Sequence, residues 1–315
     1  MSSAAHRRST GRSTGVGPTG LLAVSMCLAL AGCSSSGQQA AEAMPTMRSP
    51  SALPGSADLH LPIEPYLFSE AETAKLSRAG AVLRKACMQR FGLDYAVGPA
   101  DPPTGPRTFM DRRYGLTDPA EAAVNGYHLG DRDPRTQPVR PPQFSAEQQQ
   151  VLTGHLPGKT GTDGTSLQVN GVPVPPGGCY DEAKRGLAGS GDLGPSSLAQ
   201  QTNFRTFKDS MSTAQVTQAF EAWSGCMKNR GYSYADPMES IGDRRFLGDS
   251  PTPLELQVAT ADVTCKQQVD LIGTWFAAEA SLQKESIARQ QAEFTAALAT
   301  KTEQLAKADA VLRDR

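Results

Sequence analysis

The stretch that decides the fold occurs twice, as CMQRFGLDYA at residues 87–96 and as CMKNRGYSYA at residues 226–235. Cysteine, methionine, glycine, tyrosine and alanine stand at the same offsets in both copies. A glycine at this position is typical of the left-handed residue that ends an α-helix, with apolar residues packing across the end. The repeat therefore predicts two helices with the same ending. Tyr95 and Tyr234 are expected to pack over the cysteines, and lining a ligand groove is their alternative role.

The residues ahead of each copy predict where the two helices begin and which face they bury. A serine followed three residues later by Glu or Gln is the capping-box pattern of a helix start, and both copies have it: Ser69 with Glu72, and Ser212 with Gln215. Apolar residues then recur at helical spacing up to the glycines. The buried stripes are expected to comprise Leu76, Ala79, Leu83, Cys87 and Phe91 in the first helix, and Val216, Phe220, Trp223 and Met227 in the second.

The N-terminus has the layout of an export signal. Three arginines precede an apolar run from Leu21 to Cys33, which is short for a membrane-spanning helix. The run ends in LAGC at residues 30–33, which resembles a bacterial lipobox and implies cleavage after Gly32, a diacylglycerol thioether on Cys33 and further acylation such as palmitate. An ordinary secretory signal with a coincidental cysteine is the alternative. Residues 34–58 are rich in Ser, Ala, Gly and Pro, which predicts a flexible tether.

Four cysteines remain beyond Cys33, and an even number in an exported chain predicts disulfides. A zinc site would need closely spaced cysteines with histidines nearby, and the sequence has no such spacing. Four cysteines allow three pairings. Because each copy of the repeat is followed by a cysteine in a later helical segment, we predict one bridge in each half: Cys87–Cys179 and Cys226–Cys265.

Between the two copies the sequence predicts short elements joined by long irregular loops. Residues 118–126 and 145–154 each have the signals of a short helix, with an Asp-Pro start in the first and a terminal glycine in both. Asn170-Gly171 is a turn signal for a small hairpin, although nearby prolines restrict its strands to a sheet edge. Residues 188–202 are interpreted as a further linker.

A long helix is expected to begin at the capping box of Thr252 and Glu255 and to run towards the C-terminus, with only Gly273 interrupting its good helix formers. Its last part carries a leucine heptad with two residues on the adjacent seam: Leu298, Leu305 and Leu312, with Ile287 and Phe294. Three heptads make a marginal coiled coil. Two interpretations stay open, since residues 280–313 can fold back on the domain or project as an interaction helix.

Charge and motifs argue against several functions. Without the three arginines of the leader, 28 basic residues face 32 acidic ones, which disfavours nucleic acid as a partner. Residues 189–194 match GxGxxG without the strand that dinucleotide binding requires. An SxxK motif at residues 281–284 follows a KTG motif at residues 159–161, which is the wrong order for a penicillin-recognising enzyme. We therefore expect no cofactor and no enzymatic activity.

Metal binding is not expected either. The histidines beyond the leader, His60, His128 and His155, stand in loop-like settings and form no close pair. Asp131 and Asp133 offer at most a weak calcium site, because the EF-hand pattern is missing.

Five motifs, spread over most of the chain beyond the leader, resemble those of an uncharacterised family of secreted actinomycete (Streptomyces-type) lipoproteins. These motifs are LAGC at 30–33, RRYGLTDPAEAAVNGYHLG at 112–130, VPPGGC at 174–179, CMKNRGYSYADP at 226–237 and ADVTCK at 261–266. The resemblance implies a lipid-anchored exported protein, often associated with export or cell-wall systems, and it implies no particular activity or site.

The predicted fold is mainly α, with two disulfide-stapled helical halves that suggest an internal duplication, long irregular loops and a long C-terminal helix. The predicted organisation is a lipoprotein signal peptide at 1–32, a tether at 33–60, a first helical and loop half at 61–200, and a second helical half with the C-terminal helix at 201–315. The sequence predicts no oligomeric state.

The predicted function is that of a lipoprotein anchored on the outer face of the cell membrane. It would bind an envelope protein or the cell wall, through its C-terminal helix or a groove between the halves, without catalysing a reaction. The alternative is a cell-wall hydrolase whose carboxylate pair the sequence does not reveal. A solute-binding protein of a transporter is disfavoured because strand signals are nearly missing.

Overall fold

The computed structural model describes residues 56–96, 102–137, 142–156, 167–189 and 191–314. The predicted signal peptide, the predicted lipidation site Cys33, most of the predicted tether and the KTG motif lie outside these residues. The described part of the chain is mainly helical, as predicted, with long loops and one small hairpin. None of its helices combines the length and the apolar character that a membrane span requires.

The helices and strands follow one another as α1 (Glu70–Gln89), α2 (Pro119–Asn125), α3 (Ala146–Thr153), β1 (Gln168–Val169), β2 (Val172–Pro173), α4 (Gly178–Ala188), α5 (Ser197–Ser210), α6 (Ala214–Asn229), α7 (Pro237–Ile241), α8 (Pro253–Gln268), α9 (Leu271–Arg289) and α10 (Gln291–Arg313). Short 3-10 turns lie at Ser56–Asp58, Glu64–Tyr66, Gly130–Arg132 and Arg244–Phe246. The two strands pair antiparallel, with Val169 opposite Val172.

The two copies of the repeat end their helices in the same way. Gly92 and Gly231 have positive φ angles of 70° and 89°. The amide that follows each glycine donates a hydrogen bond to the methionine carbonyl of its copy, from Leu93 to Met88 at 3.2 Å and from Tyr232 to Met227 at 3.0 Å. This pattern is the Schellman motif, and it confirms the predicted helix end in both places.

Both predicted disulfides are present. Cys87–Cys179 joins α1 to α4, and Cys226–Cys265 joins α6 to α8, each with its Cα atoms 5.7 Å apart. Disulfides form and persist in oxidising compartments, so the two bridges indicate an extracytoplasmic environment.

The helix starts were predicted with mixed success. The capping boxes at Ser69 and Thr252 are formed, and the short helices at residues 118–126 and 145–154 are present. The predicted cap at Ser212 is wrong, because Thr213 precedes the first residue of α6 and its side chain makes no capping bond.

Residues 188–202 were predicted to be a linker. This prediction is wrong for their last part, because α5 begins at Ser197. The Ser196 hydroxyl accepts the amide of Ala199 and caps the helix. The sequence of α5 has few apolar residues, so that its helical pattern is weak, and its packing against α9 stabilises it.

The predicted C-terminal helix is divided into α8, α9 and α10. The first division lies at Asp270, which has a left-handed φ of 47°. Gly273, the expected interruption, lies inside α9. A Cβ atom there would be 2.6 Å from Oδ1 of Asp270, so the glycine provides the space that this turn needs. The second division lies at Gln290.

Helix α10 folds back instead of projecting. It packs against α1 and α4, and Lys75 of α1 pairs with Asp309 at 2.8 Å. Gln304 and Ala308 are buried at this contact, and Gln304 donates to the carbonyls of Ala188 and Asp192. The predicted leucine heptad is buried only in part: Leu298 is exposed, whereas Leu312 packs against Ala79, Leu187 and Ala308. Phe294, on the adjacent seam, is buried in the main core.

The main core lies between α5, α6, α8 and α9. Trp275 occupies its centre, with ring centroids 5.4 Å from Phe207 and 5.0 Å from Phe220. The second copy of the repeat belongs to this core through the fully buried Trp223 and Met227. The first copy packs in a separate, smaller cluster, which we call the first-bridge cluster: Cys87, Met88, Phe91, Val151, Leu152, Val169 and Cys179.

Candidate functional site

A wide groove beside the start of α1 is the candidate site. Its volume is about 1030 Å³, and three parts of the chain line it: residues 60–74, residues 106–109 and Lys301 of α10. Phe68 and Phe109 contribute partly exposed rings. The charged or titratable side chains in the lining are His60, Glu64, Glu70, Glu72, Arg107 and Lys301.

Lys301 fixes one wall of the groove by tying α10 to the segment ahead of α1. Its Nζ donates to the carbonyl oxygen of Leu67 at 2.6 Å and to that of Pro65 at 3.2 Å. It also lies 2.9 Å from Oε2 of Glu72, and the amide of Ser69 donates to the same oxygen at 2.8 Å. Hydrogen bonds that involve a charged group are among the stronger ones in proteins, so this wall is well ordered.

Each carboxylate in the lining has a basic partner. Glu64 Oε2 lies 2.9 Å from Nδ1 of His60, and Glu70 pairs with Arg132 at 3.1 Å. Burial raises the pKa of Glu72, but hydrogen bonds from the Ser69 amide and from Lys301 outweigh burial, so that its pKa is lowered overall. The hydrogen bond that the carboxylate of Glu64 accepts from His60 raises the pKa of His60.

Glu72 lacks the electrostatic environment of a general acid. A general acid of a glycosidase needs a carboxyl group whose pKa is raised, usually by a hydrophobic environment. In the groove the pKa of Glu72 moves in the opposite direction. The dyad of His60 and Glu64 has the residue types of a general base, but the side chain of His60 is 80% exposed and therefore does not work in a water-excluding site.

A buried ion pair beside the second disulfide has a structural role. Nζ of Lys266 lies 2.9 Å from Asp262 and donates to the carbonyl of Leu116 at 2.9 Å, while Nε1 of Trp223 donates to Asp262 at 3.0 Å. Burial raises the pKa of Asp262 and lowers that of Lys266. Both side chains are nearly inaccessible to solvent, so no substrate reaches them.

A second buried carboxylate, Glu279, is enclosed in the same manner. Arg113 forms an ion pair with it, and the hydroxyl of Tyr114 and the amide of Gln283 donate to it at 2.8 and 3.0 Å. Burial and the neighbouring carboxylate raise the pKa of Tyr114. Because the donors that surround Glu279 come from several elements, this cluster fastens α9 to residues 113–114.

His128 lies in a loop-like setting after α2, as predicted, but it is buried there, which the sequence did not indicate. It is 3% exposed and lies between two carboxylates, with Nδ1 3.3 Å from Asp133 and Nε2 3.5 Å from Glu255. Nε2 has no hydrogen-bond partner. The backbone amide of Tyr127 donates to the same Glu255 at 2.9 Å. No local sequence signal marks this cluster, because its members come from separate segments.

The other motifs singled out from the sequence do not form sites. Asp131 pairs with Arg107, and Asp133 pairs with Arg135, so neither is free for calcium. Among the described residues, no group of three or more His, Cys, Asp and Glu side chains is placed to hold a metal ion. The GxGxxG match follows α4 rather than a strand, and the SxxK match lies within α9.

The tyrosines of the repeat pack, as expected, rather than line a groove. Tyr95 stacks on Phe144 beside the first disulfide, with centroids 5.7 Å apart. Tyr234 is buried in the main core, and its hydroxyl donates to Asp243 at 2.7 Å.

The groove residues were missed as a set, although part of the signal was present. Ser69 and Glu72 were recognised only as a helix cap, and Lys301 was not singled out. Comparison of the chain with protein-family models, with curated proteins and with solved structures finds no match. Any function must therefore be argued from the groove itself.

Proposed function

We propose that this chain is a membrane-anchored extracytoplasmic lipoprotein that binds a component of the cell envelope in the groove beside α1, without catalysing a reaction. The main support for binding is the groove itself, because two partly exposed aromatic rings lie there among charged side chains that are already paired. Apolar surface with a few fixed polar groups is typical of binding sites. The disulfides support a location outside the cytoplasm.

The membrane anchor is proposed at Cys33, on the resemblance of residues 30–33 to a lipobox. Two or three acyl chains are sufficient for a stable anchor, since each buried methylene contributes about 0.8 kcal/mol. The composition of residues 34–58, rich in Ser, Ala, Gly and Pro, is typical of a tether between an anchor and a folded domain. A Cys33→Ser variant is expected in the culture medium, and retention in the membrane fraction contradicts the anchor.

The fold-back of α10 supports the groove over the C-terminal helix as the binding surface. Lys301, on that helix, forms part of the groove wall and bonds to the segment ahead of α1. Deleting residues 280–315 would therefore remove part of the groove and of the core together, so that loss of binding in such a deletion says nothing about a projecting helix.

Site-specific cross-linking in cells tests the proposal. A photo-reactive p-benzoyl-phenylalanine replaces Thr108, an exposed residue of the groove lining. The matched control carries the same group in place of Phe204, which is 70% exposed on α5 and is not part of the lining. We expect a cross-link to a wall or membrane component from position 108 only. No cross-link, or the same products from both positions, would contradict the proposal.

The hydrolase alternative predicts turnover of purified cell wall by the isolated protein. If Glu64, Glu70 or Glu72 acted as an acid or base, replacement by glutamine would abolish that turnover. We expect no release of soluble fragments from the unmodified protein. Turnover that depends on one of these carboxylates would replace the binding proposal with the enzymatic one.

A further inference from the structure

We infer that the groove binds an uncharged oligosaccharide. The inference rests on the proposed binding function of the groove and names the class of its ligand. It follows from the charge balance of the lining, from the position of the aromatic rings and from the hydrogen bonds that backbone groups of the wall already form.

The charge balance disfavours ionic ligands. The basic side chains of the lining are all paired, Arg107 with Asp131, Lys301 with Glu72 and His60 with Glu64. Phosphate-rich polymers need unpaired basic groups, which the lining does not offer. A cationic ligand would compete with Arg132 for Glu70 and with Lys301 for Glu72. A neutral ligand is complementary to the groove because it leaves these pairs intact.

The backbone of the groove wall disfavours an extended peptide. Peptides that add to a protein as a strand need a row of free N–H and C=O groups. Two carbonyl groups of the wall, those of Pro65 and Leu67, already accept hydrogen bonds from Lys301. The amide of Ser69 is likewise bonded to Glu72. These backbone groups are therefore not free to pair with a strand, and the polar side chains of the lining suit a ligand rich in hydroxyl groups.

The aromatic rings provide surfaces for sugar rings. Phe68 and Phe109 are partly exposed, and each lies near a basic side chain, with Lys301 Nζ 5.4 Å from the Phe68 centroid and Arg113 4.8 Å from the Phe109 centroid. The face of an aromatic ring is electron-rich and attracts the weakly positive C–H groups of a sugar ring. Paired carboxylates keep free lone pairs, which accept hydrogen bonds from hydroxyl groups.

The size of the groove indicates an oligomer. Sites for small molecules usually enclose about 300 to 1000 Å³. The groove, at about 1030 Å³, lies just above that range. A single monosaccharide would leave much of the groove filled with water.

Binding of a panel of neutral oligosaccharides, which includes oligomers of N-acetylglucosamine, glucose and mannose, tests the inference. Mature protein with intact disulfides is titrated with each oligomer and followed by calorimetry. We expect saturable binding of at least one oligomer, little affected by salt between 0.05 and 0.5 M because no ion pair forms with the ligand. Binding of none, or salt-sensitive binding of an anionic polymer in their place, overturns the inference.

Variants then place the ligand. Phe68→Ala and Phe109→Ala are expected to weaken binding at least tenfold, while Phe204→Ala leaves binding unchanged. Circular dichroism shows whether each variant is folded. If Phe68→Ala unfolds the protein, Thr108→Trp, which places a bulky side chain on the exposed rim, provides the second test. Unchanged binding in folded groove variants assigns the sugar to another surface and overturns the inference.

The two proposals fail in different ways. If no neutral oligosaccharide binds but position 108 still cross-links to an envelope protein, the binding function stands and the sugar class is wrong. If position 108 gives no cross-link and no oligosaccharide binds, both are wrong.

Discussion

The two copies of the repeat have the same helix end but different surroundings. Gly92 and Gly231 adopt the same left-handed turn, and each copy carries a disulfide. The second copy packs through Trp223 and Met227 into the main core, whereas the first packs into the small first-bridge cluster. The local sequence therefore sets the shape of a helix end, and the surrounding core determines how much that end contributes to the stability of the protein.

Removing a disulfide should have the largest effect, and the effect should be larger in the first copy. The chain-entropy model gives roughly 4.6 kcal/mol for a bridge across 92 residues and roughly 3.9 kcal/mol for one across 39 residues. The smaller cluster has less apolar contact to compensate, so Cys87→Ser with Cys179→Ser is expected to unfold the protein at lower urea than Cys226→Ser with Cys265→Ser. Urea denaturation of both double variants measures the difference. Equal midpoints would show that core size does not matter here.

The Lys266→Met variant should destabilise the main core by about 3 to 5 kcal/mol, because it leaves Asp262 buried without a cation. Burial already raises the pKa of Asp262 above its unfolded value. Loss of Lys266 raises it further, so the folded variant binds a proton that the unfolded chain at neutral pH lacks. The stability difference from the unmodified protein should therefore narrow as the pH falls from 7 to about 4.

Urea denaturation of Lys266→Met at several pH values gives this measurement. Lys284→Met, at an exposed position of α9, is the control and should change stability by less than about 0.5 kcal/mol. A difference that stays constant with pH would contradict the role of Asp262 as the uncompensated charge.

The glycines of the two copies should respond alike. A Cβ atom at Gly92 or Gly231 meets no other atom within 4 Å, so an alanine there has only the backbone cost of a positive φ angle. We expect Gly92→Ala and Gly231→Ala to lower stability by a similar amount of about 1 to 2 kcal/mol. Gly225→Ala, inside α6 and equally uncrowded, is the control and should be stabilising by about 0.5 to 1 kcal/mol. Unequal losses at the two helix ends would mean that the surrounding core also controls the turn.

Acid should reduce the stability that two paired carboxylates, Asp133 and Asp243, contribute. This is the smallest of the expected effects. The hydrogen bonds from Arg135 lower the pKa of Asp133, and those from Arg245 lower the pKa of Asp243. A lowered pKa contributes stability above the unfolded value near 4, and this stability is lost as the pH falls below it. Asp133→Asn and Asp243→Asn should therefore differ from the unmodified protein less at pH 2 than at pH 6. Asp133, the less exposed of the two, should show the larger change in pH-dependent thermal unfolding.

Short-range signals in the sequence predicted much of the local structure. The Ser69 and Thr252 capping boxes, the helix ends and the hairpin at Asn170 depend on residues a few positions apart. Predictions failed where a distant contact decides the outcome. Helix α5 has a weak pattern of its own and is stabilised by α9. The buried face of α10 includes the polar Gln304, which bonds to distant carbonyls, while Leu298 of the heptad is exposed.

The candidate site belongs to this second class. The groove combines Phe68, Phe109 and Lys301, which lie in three separate parts of the sequence. The buried cluster of His128, Asp133 and Glu255 is likewise assembled from two segments. Each of these residues has an ordinary interpretation in its local sequence, so no motif search reveals the combination.

The sequence by itself determined the two helix ends and the mainly helical class, because capping, glycine conformation and apolar periodicity act over a few residues. The disulfide pairs were predicted from the repeat, since each copy precedes a cysteine in a later helical segment. The tertiary structure alone decided that α10 returns to α1, that Lys301 completes the groove wall and that His128 is buried between carboxylates. These outcomes depend on contacts between residues far apart in the chain, whose energies are set by how the helices pack and not by any single segment.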